Sequence, residues 1–123
     1  MPNDPPALAK ASPTFKLAAP VRVAIITLDN HLKGAVDRAD CALSKDNVQL
    51  SLHPASEWAA DEAALEATRK AIVEADIIIA TMLFLDDHVR LIMPDLEARR
   101  ESCDAMVCLM SAGEIVRLTR MGN

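Results

Sequence analysis

The sequence predicts an α/β domain: a doubly wound, mostly parallel sheet of about four strands, the incomplete N-terminal portion of a larger fold. Three observations lead there. The run Asp76–His88 holds Ile77, Ile78 and Ile79 without polar alternation, as in a strand covered on both faces, and such strands belong to parallel sheets. Strand-type segments alternate along the chain with segments whose apolar residues recur at helical spacing. The connections between them are short, and parallel neighbours need a helical crossover.

Residues 1–20 come first. Pro2, Pro5, Pro6, Pro13 and Pro20 remove backbone donors among small side chains, the composition of a disordered leader. The α/β domain is expected over residues 21–123. Val21–Leu28 is apolar apart from Arg22 and Thr27 and reads as the first strand. Asp29 and Asn30 stand where they can cap a helix, in which Leu32, Ala35, Val36, Ala39 and Leu43 form one apolar face until the cluster Ser44–Asn47 ends it. Val48, Leu50 and Leu52 alternate with Gln49 and Ser51, so this second strand has one exposed face or lies at a sheet edge, and Pro54 closes it.

Ser56 is expected to cap the next helix, whose inner stripe is Ala60, Ala64, Leu65, Thr68, Ile72 and Ala75. The isoleucine strand follows. Beyond His88, Val89, Ile92, Met93 and Leu96 repeat at helical spacing, and Pro94 either kinks this helix or starts a second one. Ala105–Met110 is another buried strand. Ser111 and Glu114 stand in capping-box spacing before a last helix that carries Ile115, Val116 and Leu118 and ends at Gly122. The expected strand order is flavodoxin-like, with the second strand outside the first and the first beside the third. The outer edge of the last strand is then left bare, and the chain reads as the opening segment of something longer.

Composition removes several functions. The net charge is −5 and Phe15, Trp58 and Phe84 are the only aromatic residues, so there is neither a basic face nor a stacking platform for nucleic acid. No apolar run approaches the roughly 18 residues needed to span a bilayer, and residues 1–20 lack the charged and apolar regions of a signal peptide. A cytoplasmic protein is expected. Cys41, Cys103 and Cys108 fit neither CxxC nor zinc-ribbon spacing and read as reduced, buried thiols. There is no GxGxxG after the first strand and no GxxxxGK[ST] anywhere, hence no dinucleotide or P-loop site. The third strand ends in Thr81, Met82 and Leu83, without the aspartate of a receiver domain, and the first offers Asp29-Asn-His in place of a flavodoxin phosphate loop. No Ser-His-Asp or Cys-His pairing is indicated by spacing.

What remains is a polar strand-end cleft. With the first and third strands adjacent, Asp29, Asn30 and His31 approach Asp86, Asp87 and His88, with Ser111 and Glu114 nearby. Two histidines with carboxylates can bind a divalent cation or move protons. Helix capping accounts for the same acids, each cap being favoured by about 0.5–2 kcal/mol, and both readings stand at this point. His53 reads as a surface or satisfied histidine, and Met82, Met93, Met106 and Met110 as core filling. Arg117 and Arg120 suit the C-terminal dipole of the last helix, and Trp58 either staples a helix to the sheet or is an exposed docking residue.

The segments VRVAIITLDNHLKGAVDRA, LSLHPASEW, ADIIIATMLFLDDHVR and LEARRESCDAMVCLMSAGEIVRLTRMG resemble the N-terminal region of the large, porphyrin-binding subunit of magnesium chelatase, in its bacteriochlorophyll-pathway form. The resemblance runs from Val21 to Gly122. A cobaltochelatase large subunit is related, but the DDH and CDAM, MSAGE and LTRMG runs are closer to the magnesium enzyme. The resemblance implies ATP-dependent insertion of Mg2+ into protoporphyrin IX, with ATP on AAA+-type partner subunits and the remainder of the large subunit enclosing the porphyrin. It transfers no catalytic residue and no bound cofactor onto this chain. Asp29, His31, Asp86, Asp87 and His88 become the candidates for lying near the porphyrin or metal, and a structural or interaction module without its own ligand is the alternative.

Overall fold

The computed structural model describes residues 19–122, so the expected leader falls outside the described residues except for Ala19 and Pro20. Strands β1 (Val21–Thr27), β2 (Val48–Pro54), β3 (Ile77–Thr81) and β4 (Ala105–Leu109) are parallel, and β5 (Arg120–Met121) pairs antiparallel with β4. Their order is β2-β1-β3-β4-β5, the flavodoxin-like arrangement, with β2 at the edge. The register sets Thr27 beside Pro54, and Thr81 beside Leu109, so the carboxyl ends of the four parallel strands form one edge.

The helices are α1 (Lys33–Leu43), α2 (Glu62–Glu74), α3 (Asp86–Arg99) and α4 (Gly113–Val116). Three expected caps lie elsewhere. α1 starts after Leu32 with no side-chain cap, because Asp29 is used in the turn before it. Ser56 sits in a short 3-10 turn over Ala55–Glu57, and Asp61 caps α2 instead, its carboxylate accepting from Ala63 N–H at 3.0 Å. Ala60 consequently precedes the helix and is exposed. Ser111 does not cap α4; its hydroxyl bridges two strand exits, as described below. Pro94 lies inside a continuous α3, where it removes one backbone donor without ending the helix.

The last helix is also shorter than expected. α4 is a single turn, because Thr119 leaves it to complete the edge of β4: its hydroxyl accepts from Cys108 N–H at 3.0 Å and donates to Cys108 C=O at 2.9 Å. The two-residue β5 follows, so β4 is not a bare edge.

The core lies on one face of the sheet. Ala24, Ile26, Ile78, Ala80, Met106 and Cys108 share that face by register, and α2 and α3 cover it with Leu65, Ile72, Val89, Ile92 and Leu96. Trp58, 4% exposed, joins this cluster and donates its indole N–H to Thr68 Oγ1 at 3.1 Å, which donates in turn to Ala64 C=O at 2.9 Å. Trp58 is therefore a staple and not an exposed docking residue. The opposite face departs from expectation, since Ile77, Ile79 and Val107 stay partly exposed. Val36, the one buried residue of α1, is outside the main cluster, and α1 is tied to β2 by Asp40, which accepts from Leu50 N–H at 2.8 Å. Among the described residues the isoleucine strand is thus fully covered on one face only.

Candidate functional site

The carboxyl edge of the sheet carries two residues with left-handed backbone. Met82 follows β3 with φ 61° and Met110 follows β4 with φ 47°, both in the left-handed region that costs a non-glycine residue about 1–3 kcal/mol. Three hydrogen bonds hold them there. Met82 N–H donates to Met110 C=O at 2.8 Å, Leu83 N–H to Ser111 Oγ at 3.0 Å, and Ala112 N–H to Leu83 C=O at 2.9 Å. Ser111 Oγ also donates to Leu109 C=O at 3.0 Å. Leu83 is buried by this stitching, while Phe84 and Leu85 are turned out, 56% and 55% exposed.

α3 begins at once, with Leu85 at its cap position and Asp86 and Asp87 in its first turn. Neither acid caps through its side chain; both act on the helix dipole. Asp87 pairs with Arg90 at 2.6 Å, well out in solvent. His88 turns the other way and sets its ring edge-on against Trp58, centroids 5.8 Å apart and planes at 76°. Between the β2–α2 connection and this turn lies a cleft of about 320 Å³, lined by Trp58 and Ala59 on one side and Leu85, Asp86, Asp87, His88 and Leu91 on the other.

The exit of β1 is organised separately. Asp29 accepts from His31 N–H at 3.1 Å and pairs with the His31 ring through Nδ1. The hydrogen bond from that ring holds the Asp29 carboxyl below its usual range. Asp29 and His31 therefore answer each other, and His88 is engaged with Trp58. Among the described residues no three His, Cys, Asp or Glu side chains gather as a metal would require. Glu114 is exposed in the first turn of α4.

Two buried polar atoms lack a hydrogen-bond partner among the described residues, Thr27 Oγ1 and His88 Nδ1, and both belong to this edge. Replacing His88 by Phe keeps an aromatic edge on Trp58 and removes the orphan nitrogen. The expected result is unchanged stability or a gain of up to about 1 kcal/mol, read from the urea midpoint. A loss above that would mean that His88 has a partner of its own.

Sequence reasoning missed the left-handed methionines and the seating of His88 on Trp58. Methionine carries no signal for positive φ, and the Trp58 contact joins elements far apart in the chain. A cleft of about 360 Å³ lies between α2 and strands β1 and β2, where Arg22 pairs with Glu74 at 3.3 Å, and none of the candidate residues lines it. His53 does, and burial pushes its pKa below the ordinary 6.5. Its folded form resists protonation, so its contribution to stability is full above pH 6.5 and is lost as pH falls below that value. His53→Gln is expected to flatten the fall in melting temperature on acidification from pH 7; an unchanged profile would contradict this. Cys103 and Cys108 are buried thiols, as expected, with Cys108 pushed up to about 11 by burial, whereas Cys41 is exposed.

No described helix is long and apolar enough to cross a membrane. Residues 22–123 match the family described as a domain of unknown function (DUF3479). The chain is 44% identical over 103 residues to the magnesium-chelatase H subunit of Cereibacter sphaeroides, and 41% identical over 103 residues to that of Rhodobacter capsulatus. The matched stretch is 82% of this chain and spans 9% of the length of each relative.

Proposed function

The chain belongs to the family described as a domain of unknown function (DUF3479), and on that premise we propose that it is the N-terminal α/β domain of a magnesium-chelatase large subunit. In this reading the assembly inserts Mg2+ into protoporphyrin IX for bacteriochlorophyll synthesis, with ATP hydrolysed on AAA+-type partner subunits. The domain itself is not catalytic. The observation that carries the reading is the 44% identity to a magnesium-chelatase H subunit across 82% of the chain.

Two roles are then open to the carboxyl edge: lying against the porphyrin or metal through Asp29, His31, Asp86, Asp87 and His88, or holding a neighbouring protein. The local geometry favours the second. Asp29 is occupied by His31, Asp87 by Arg90, and His88 by Trp58, whereas large apolar side chains beside them are exposed.

A chimera tests the membership. The matching segment of the Cereibacter sphaeroides protein is replaced by residues 21–122 of this chain, and magnesium insertion is followed by porphyrin fluorescence. Insertion within about tenfold of the unmodified protein supports the reading; background insertion by a folded chimera, a loss above about 1.4 kcal/mol, counts against it.

A further inference from the structure

We infer that the cleft beside α3 is a docking surface for a basic amphipathic helix of another subunit of the assembly. The inference rests on the chelatase reading above and adds to it the place and the chemistry of a contact. Leu85 and Leu91, 55% and 38% exposed, line the cleft, and Phe84, 56% exposed, precedes Leu85 at the exit of β3. Scattered exposed apolar residues need no explanation, but exposed leucines that line one cleft mark an interaction site.

The charge around the cluster names the occupant. Asp86 and Asp87 line the same cleft as Leu85 and Leu91, and both are exposed. The Asp86 carboxylate has no partner among the described residues, and the pair between Asp87 and Arg90 is more than 70% exposed on both sides, cheap to exchange for another cation. Apolar walls with carboxylates on one rim fit a helix that seats an apolar side chain in the cleft and sets Lys or Arg, one turn along, on the acids. A cleft of about 320 Å³ has room for one or two such anchors and not for a whole domain face. Leu85 and Leu91 supply the contact area; Asp86 and Asp87 supply orientation and association rate.

The chimera tests this with the purified partner subunits of the Cereibacter sphaeroides enzyme. Their affinity is read from sedimentation and from the partner concentration that gives half-maximal insertion. Leu85→Ser with Leu91→Ser is expected to weaken partner binding at least tenfold, and Asp86→Asn with Asp87→Asn about three- to tenfold with a shallower salt dependence. Near-UV circular dichroism of Trp58 checks the fold, and Asp86→Lys, at an exposed position, serves should the serine variant fail it. Unchanged affinity in the folded variants overturns the inference, as does a lower melting temperature of the chimera at unchanged affinity, which would assign the surface to a contact within the large subunit. An unmodified chimera without insertion defeats the chelatase reading instead, so the two failures are distinct.

Discussion

Trp58→Ala is expected to destabilise the domain by about 3–5 kcal/mol, a large share of the roughly 5–15 kcal/mol that holds a domain of this size. The indole is the only aromatic member of the core cluster among the described residues, and it ties the β2–α2 connection to α2 through Thr68 and to α3 through His88. Truncation opens a cavity, strips His88 of its ring contact, and removes the N–H that Thr68 Oγ1 accepts. Trp58→Phe separates these effects. It retains most of the volume and leaves Thr68 bonded to Ala64 C=O alone, so a cost of about 1–2 kcal/mol is expected. The measurement is the urea midpoint by far-UV circular dichroism, since the substitution removes the fluorophore. A cost for Trp58→Ala below about 1 kcal/mol would contradict the staple.

Arg99→Ala is expected to cost about 2–3 kcal/mol. The last carbonyls of a helix have no partner within it, and those of α2 face the end of α3. Arg99 reaches across, donating from Nε to Ile72 C=O at 2.9 Å and from Nη2 to Ala75 C=O at 2.5 Å, and its charge suits the negative end of α2. Its other arm donates to Ser102 Oγ at 2.7 Å. The rigid fork of the guanidinium makes these bonds together, which an ammonium cannot do. Arg99→Lys should therefore recover less than half of the loss; full recovery would mean that charge alone matters at this position.

Much of this framework was legible in the residues. The parallel order followed from alternating periods, and the alternation of Leu50 and Leu52 offered β2 one exposed face or a place at an edge, of which the structure shows the edge. Caps were less legible. Ser56 and Asp61 both offer an oxygen near the start of α2, and the burial of Trp58 between them decides for Asp61 by drawing residues 55–58 into a turn. β5 was invisible, since two residues carry no period, and the hydroxyl of Thr119 rather than a propensity leads the chain back to β4. The triple isoleucine gave the strand but not its covering, because an unbroken apolar run looks the same whether one face or both are shielded.

The candidate site divides in the same way. Sheet order correctly made β1 and β3 neighbours, yet sequence spacing cannot say which way a side chain leaves a turn. Asp29 closes on His31 two residues away, and His88 folds onto Trp58, thirty positions earlier in the chain. The polar pattern was read from the sequence; the apolar exposure of Phe84, Leu85 and Met110 was not, because such residues are ordinarily core.

Whether this edge receives protein or porphyrin is decided most directly by titrating the chain with protoporphyrin IX while following Trp58, the only tryptophan, which borders the cleft. A docking surface for a basic helix predicts no saturable quenching, and a signal the same in the unmodified chain and in Leu85→Ser. Saturable one-site quenching that His88→Phe or Asp86→Asn weakens would contradict the account and return these residues to the porphyrin.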